Sequence, residues 1–406
     1  MRTALLLLAL TATAHAQWDL QTSNTTASLR GIHALGNGIA WASGSEGTVL
    51  HTTDNGTHWQ RCTTPPHADK LDFRGIQAFD AETAIVMSSG KGDLSRLYKT
   101  ADACATWKLV FTNPDNDGFF DALSFSGTRH EDIIHPDNPL LRTRLDHPDV
   151  ERHVIGGCGY LLGDPVDGSF RIFHTCDHGS TWLSSPDKYV AKGGEAAFAA
   201  SNQSLVTMPY NFDDMLLITG GSVARLLYHD GGCELDGLWC HGSTRTVHLP
   251  LAHGNESSGA FAMAVLPNDD FNSAVKFPYT IVIVGGDYKQ PEATNGVATT
   301  VYFYGFRSFP AGGHSGTARA AHTPPHGYRS AVAYDATTKT WITVGPNGTD
   351  ISTDDGRNWR ALKPLPGQPD DADQHWNALS LPFAVGPHGR IGILNPAALK
   401  PLNAPK

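Results

Sequence analysis

Apolar residues along this chain fall into short runs that end in Gly-containing loops, a pattern that predicts β-strands joined by tight turns. Four such runs are Ala40-Trp41-Ala42-Ser43-Gly44, Ile281-Val282-Ile283-Val284-Gly285-Gly286, Trp341-Ile342-Thr343-Val344-Gly345 and Phe383-Ala384-Val385-Gly386. Seven further segments align with one another: Leu29 to Leu35, Phe73 to Phe79, Phe119 to Phe125, Gly194 to Ala200, Gly259 to Val265, Tyr328 to Tyr334 and Trp376 to Leu381. Their second residues are Arg30, Arg74, Phe120, Glu195, Ala260, Arg329 and (as the aligned position) Trp376, spaced by 44, 46, 75, 65, 69 and 47 residues. The short spacings fit a four-stranded unit of about 40–45 residues, and the long ones are units with insertions.

In each unit a third strand follows, then a turn, then a fourth strand. The turn recurs four times, whole or nearly whole, with the pattern Ser/Thr-x-Asp-x-Gly-x-Thr-Trp: Thr52 to Trp59, Thr100 to Trp107, Thr175 to Trp182 and Ser352 to Trp359. The key positions are Asp54, Gly56 and Trp59; Asp102 and Trp107; Asp177, Gly179 and Trp182; and Asp354, Gly356 and Trp359, with Cys104 where the second copy should carry Gly. The Asp and Ser/Thr side chains can bond nearby backbone N–H groups, Gly accepts a positive φ, and Trp offers a large apolar face. These side chains are therefore structural. Units four and five lack the turn, and Tyr228-His229-Asp230-Gly231-Gly232 reads as a degenerate copy. The last unit stops after Arg390 to Leu394, and Trp18-Asp19-Leu20-Gln21 can supply its missing strand. A ring closed by strands from both ends hides its edges. The expected fold is all-β, a seven-bladed β-propeller closed by N- and C-terminal strands in one blade, with six or eight blades as the alternative counts.

Residues 1–16 read as a secretory signal: Arg2, an apolar stretch from Ala4 to Leu10, and Ala14-His15-Ala16 before a cleavage after Ala16. Residues 17–406 then form one propeller domain, expected in the periplasm or outside the cell. No later segment is apolar for long enough to span a membrane. Six Cys suit an oxidising compartment. Cys233 and Cys240 can staple one loop, Cys158 and Cys176 flank a hairpin at Asp167-Gly168, and Cys62 and Cys104 are left over. The 42 Gly and 25 Pro suit a turn-rich all-β chain, and the formal charge of −10 argues against nucleic acid as a main partner. The insertion with His130, His135, His147 and His153 lacks defined ligand spacing and is read as solvated, so no metal or cofactor is expected.

The motifs carry a resemblance. Arg30-Gly31-Ile32, Ala40 to Gly44, Gly47-Thr48-Val49-Leu50 and the turn closing at Trp59 resemble secreted bacterial propellers with the BNR repeat, or Asp-box, of the photosystem II stability/assembly factor type. So do Gly163 to Gly168, Gly285-Gly286-Asp287-Tyr288, Gly327 to Ala333 and Val344 to Gly348. This family sits in the sialidase-like propeller superfamily. The resemblance implies a seven-bladed binding or assembly scaffold, with a protein or an acidic glycan or peptide as partner, rather than photosystem assembly as such.

Propeller geometry places the starts of the innermost strands around one channel mouth. Arg30, Arg74, Arg329, Tyr328 and Trp376 are the expected anion-binding or ligand-binding residues, because Arg offers a planar donor fork. The alternative is an internal network in which these Arg pair with Glu195, Asp164 and Asp287. A sialidase-like glycoside hydrolase on the same face would draw its catalytic groups from Glu195, Asp164, Asp287 and Tyr288, but the Arg-Ile-Pro segment of sialidases is missing: Arg171-Ile172-Phe173 stands instead. A secreted monomer that binds is the preferred reading.

Overall fold

The computed structural model describes residues 17–125, 158–208, 211–233, 240–267, 279–303, 316–362 and 371–399. Residues 1–16, read above as a signal, and the His-rich insertion lie outside them. Seven antiparallel sheets surround one axis. The first blade runs Leu29–Gly36, Ile39–Gly44, Val49–Thr52 and Gln60–Arg61, from the axis outwards, and blades two, three and six repeat this order. In blade seven, Trp18–Gln21 pairs with Ile391–Leu394 outside Phe383–Val385 and Ala378–Ser380, so both chain ends close the ring. The seven-bladed count and the closure are as expected.

Second strands such as Thr340–Gly345 and Tyr279–Asp287 are buried throughout. Both of their faces are covered by neighbouring blades, which is why they read as unbroken apolar runs rather than as an alternation. Among the described residues, the buried apolar side chains form seven clusters, one at each blade–blade interface. The core is thus a ring of seams.

The recurring turn builds these seams. In the first copy, Thr52 Oγ1 accepts the Gly56 N–H at 3.0 Å and donates to Asp54 Oδ1 at 2.9 Å, while Asp54 Oδ1 accepts the His58 N–H at 2.9 Å. The turns at Asp102, Asp177 and Asp354 repeat the last bond to Thr106, Thr181 and Asn358. Gly56 has φ 79°, and a Cβ there would stand 2.8 Å from Phe383 of blade seven. Trp59 meets the same Phe383 edge-on, with ring centroids 5.5 Å apart. Each turn therefore locks its blade onto the one before it.

Three expectations change. Cys104 adopts φ 64° where the other turns take Gly, and its side chain joins Cys62 of blade one in a disulfide. These two cysteines are thus paired rather than left over. Cys158 pairs with Cys176 across the hairpin, as anticipated, and the backbone sets Cys233 opposite Cys240. Tyr228 to Gly232 is no degenerate turn: it belongs to the strand Arg225–Cys233, whose ladder with Cys240–His248 runs unbroken.

The third change is in blade four. Its innermost strand is Leu205–Met208, not Gly194 to Ala200. The segment from Ala197 to Ser204 instead crosses the channel as a strap. Ser201 Oγ donates to the Ser330 carbonyl at 2.6 Å, Asn202 Oδ1 accepts the Leu123 N–H at 2.8 Å, and the Gln203 carbonyl accepts the Met263 N–H at 3.0 Å. The Gln203 side chain bonds Val332 and reaches the Leu379 carbonyl. Polar groups that no strand ladder could satisfy, the Gln203 carbonyl among them, find their partners on blades three, five, six and seven.

Candidate functional site

The mouth of the channel is made by residues that the innermost strands extrude. Pairing between the first and second strands shifts register at Leu29/Gly31, Phe73/Gly75, Phe120/Ala122 and Ala260/Ala262. Each shift is a β-bulge, and the extra residue is left out of the ladder. The extruded residues are Arg30, Arg74, Asp121 and Phe261.

The second-strand glycines fix the same register elsewhere. A Cβ on Gly44 would lie 2.4 Å from the Ser28 carbonyl; on Gly345, 2.3 Å from that of Tyr328; and on Gly386, 1.9 Å from that of His375. Tyr328 and His375 therefore match Ser28, and Ser330 and Asn377 match Arg30. The sequence alignment was one residue early in blades three, five, six and seven. A one-residue slip turns a side chain to the other face of its strand. Phe120, Ala260, Arg329 and Trp376 accordingly point into the seams rather than the mouth, and all are buried.

Arg329 shows the consequence. Its Nε donates to Asp350 Oδ2 at 2.8 Å, its Nη2 also bonds Asp350, and its Nη1 donates to Asn347 Oδ1 and to the Tyr328 carbonyl. The side chain is fully buried in this network and has no face toward a ligand. Trp376 packs on Trp18, with ring centroids 5.1 Å apart and Arg390 over its ring at 4.7 Å. Trp18 Nε1 in turn donates to Asp373, which also holds Thr349 and ties the N-terminal strand to blade six.

Arg30 and Arg74 do come together. Asp72 sits between them, 3.4 Å from Arg30 Nε and 2.8 Å from Arg74 Nε. Their side chains are 33% and 30% exposed, so two guanidinium groups share one carboxylate at a partly open surface. Burial lowers the pKa of Arg30; Asp72 opposes this and the Arg74 charge adds to it. Arg74 Nη1 also reaches the Ala199 carbonyl of the strap at 3.4 Å.

Beside Arg74, Asp121 is buried, and its Oδ2 meets no hydrogen-bond partner among the described residues. Burial holds this carboxyl well above the usual range; the Asp164 charge reinforces the shift and Arg74 offsets part of it. Asp164 accepts the Ala197 N–H at 3.1 Å, and burial outweighs that bond to push its carboxyl up to about 6. The far side of the mouth is aromatic. Phe198 of the strap stacks on Phe261 at 3.9 Å, and Phe261 meets Tyr328 at 4.8 Å and the half-exposed Tyr288 at 6.1 Å.

Two of the acids proposed for hydrolysis are engaged within the protein. Glu195 is sealed by four donors: Arg225 Nε at 2.7 Å, Arg225 Nη2 at 2.5 Å, Thr219 Oγ1 at 2.6 Å and the Lys192 N–H at 2.7 Å. Asp287 is committed to Ser257 Oγ at 2.7 Å and the Lys289 N–H at 2.9 Å. Burial raises the Asp287 carboxyl, but these hydrogen bonds and those from its other neighbours prevail and hold it low. Asp72, Asp121, Phe198 and Phe261 were not singled out from sequence; a bulge signal, Gly following the extruded Arg in Arg30-Gly31 and Arg74-Gly75, marks only two of the four extruded positions. Among the described residues, no group of three or more His, Cys, Asp or Glu could hold a metal ion, and no helix is long and apolar enough to cross a membrane.

The chain is a seven-bladed β-propeller. Among solved structures it is similar to YCF48 bound to D1 peptide, with a TM-score of 0.53 at 12% identity over 95% of this chain and 97% of that one. It is also similar to YCF48 from Cyanidioschyzon merolae, with a TM-score of 0.52 at 14% identity over 94% and 100% of the two chains. No family model and no curated protein matches the chain in sequence. At these identities the likeness concerns the fold.

Proposed function

We propose that the chain is an exported binding scaffold of the photosystem II assembly factor type, built on BNR repeats, whose channel mouth receives an acidic segment of a partner. The observation that carries this reading is the pair Arg30 and Arg74 on one carboxylate. Two guanidinium groups face the single carboxylate of Asp72, and burial of Asp121 beside them disfavours its charged form. Their N–H groups beyond Asp72 suit a carboxylate, and the aromatic wall of Phe198, Phe261 and Tyr288 suits a neighbouring apolar side chain. The fold likeness to a propeller solved with a peptide supports a peptide over a glycan. The disulfides Cys62–Cys104 and Cys158–Cys176 support export to an oxidising compartment, with the first sixteen residues as the signal. Closure of the ring within one chain hides its sheet edges and supports a monomer.

The test is calorimetric titration of the protein with synthetic acidic peptides bearing a free carboxyl terminus. Binding should weaken with salt, and Arg30→Ala or Arg74→Ala should each reduce affinity about tenfold to a hundredfold, the range for a hydrogen bond to a charged group. Arg329→Lys should leave affinity unchanged in a folded protein. Affinity indifferent to both mouth arginines would overturn the reading.

A further inference from the structure

The strap from Ala197 to Ser204 is held at one end by charged groups and along its length by polar ones. At its start, Asp164 accepts the Ala197 N–H and Arg74 donates to the Ala199 carbonyl. Along it, Ser201, Asn202 and Gln203 bond blades three, five, six and seven. Close to both Asp164 and Arg74 lies Asp121, whose Oδ2 is buried without a partner among the described residues. Burying an ionised carboxylate that lacks hydrogen bonds is costly, and the group avoids the cost by keeping a proton. We propose that the strap is a proton-gated stopper of the channel, seated while Asp121 and Asp164 carry protons and loosened when they ionise.

The other charged groups around the two carboxyls are paired within the protein. Blade two contributes Arg74, which shares Asp72 with Arg30. The second strand of blade three contributes Asp164 to Asp121. The strap itself and the innermost strand of blade four, Leu205–Met208, carry no charge. Glu195, just before the strap, is tied to Arg225.

The sign follows from linkage. Lifting the strap admits water, so both carboxyls return toward their ordinary acidity. A group more basic in the seated state than in the lifted one stabilises the seated state when protonated. Asp164, pushed up to about 6 when seated, loses that contribution as pH rises through 6. Because Phe198 begins the strap and stacks on Phe261, loosening also reshapes the aromatic half of the mouth.

Amide hydrogen exchange reads this directly. The N–H groups of Leu123, Met263 and Val332 donate to the strap, so they open to water when it lifts. Their exchange in the ligand-free full chain, corrected for the intrinsic pH dependence of exchange, should rise more than about tenfold from pH 4.5 to 7.5 for the Asp164 shift alone. Amides of Thr340–Gly345 report global opening, and the three strap-bonded amides should exchange faster than these at pH 7.5, as a local lift requires. In the double variant Asp121→Asn, Asp164→Asn, which mimics the protonated pair, the three amides should stay protected at both pH values. Equal corrected rates at the two pH values would overturn the proposal. So would a pH dependence that survives in the double variant, or strap-bonded amides that exchange no faster than those of Thr340–Gly345 at pH 7.5. None of these readouts requires a ligand, so they stand apart from the peptide-binding test.

Discussion

Gln203 completes the inner edge of blade six at Val332: its Oε1 accepts the Val332 N–H at 3.0 Å, and its Nε2 donates to the Val332 carbonyl at 3.1 Å. The side-chain amide thus does what a neighbouring strand would do. Gln203→Ala should leave both backbone groups unpaired at the channel wall and cost about 1–3 kcal/mol. Gln203→Glu should cost more than that at neutral pH, because it sets an acceptor against the Val332 carbonyl. Denaturant melts of the two variants check this, and equal midpoints with wild type would mean that the strap adds nothing to the fold.

What could be read from sequence divides along the range of the interactions. The turn at Asp54, Gly56 and Trp59 is legible because its bonds run between residues two to four apart. Seven repeats of short strands follow from it. The mouth is not legible in the same way. A bulge moves Arg30 and Arg74 outward but puts Asp121 and Phe261 one place after the residues that alignment selects. Arg329 looks like Arg30 in the repeat and occupies the opposite face. The strap escapes recognition for another reason. Ala197-Phe198-Ala199-Ala200 mimics an innermost strand, while the bonds of Gln203 reach residues 129 and 176 positions away.

Trp59→Ala should destabilise the ring by about 3–5 kcal/mol, since it empties the seam between blades one and seven. Asp54→Ala should lower the melting temperature as well, by releasing the His58 N–H and side chain. Affinity at the mouth should be unchanged in both, because the turn lies at the other end of the blade. Thermal melts of the variants settle the first point, and a Trp59→Ala protein melting with wild type would contradict the packing.

Two opposed pH effects should shape stability. Hydrogen bonds from the His58 backbone and side chain hold the Asp54 carboxyl down at about 2, so its contribution is present above pH 4 and is lost as pH falls toward 2. Asp164, raised to about 6, acts in the other direction: the folded state binds the extra proton, and stability falls as pH rises from about 4 to 6 and then levels. That second loss should be about 2–3 kcal/mol and should disappear in Asp164→Asn. Urea titrations at pH 4.5 and 7.5 would show it, and an unchanged pH slope in the variant would refute it.

The Cys62–Cys104 disulfide joins blade one to the turn of blade two across 42 residues. Closing a loop of that length is worth about 4 kcal/mol by chain entropy. Cys62→Ser with Cys104→Gly restores the Gly that the other turns use at this position. It should therefore lose less stability than Cys62→Ser with Cys104→Ser, where a side chain stays at φ 64° without its bond. Melting temperatures in the reverse order would show that the positive φ at Cys104 is no burden.

Glu195 is the sharpest point at which binding and hydrolysis diverge. A glycosidase acid must face the substrate, yet this carboxylate has four protein donors and a side chain with no exposed surface. Its bond to Arg225 pins the entry of the strap: Glu195–Ala196 pairs with Gly220–Gly221, at the loop that Thr219 and Arg225 close. Glu195→Gln leaves the buried Arg225 charge without its counter-charge and should cost about 3–5 kcal/mol. The effect should appear in the melt and in weaker peptide binding, through a displaced Phe198. Wild-type protein should turn over none of a panel of chromogenic glycosides that includes sialosides. Turnover by wild type, lost in a Glu195→Gln protein that melts like wild type, would make Glu195 a catalytic acid and remove the scaffold reading with it.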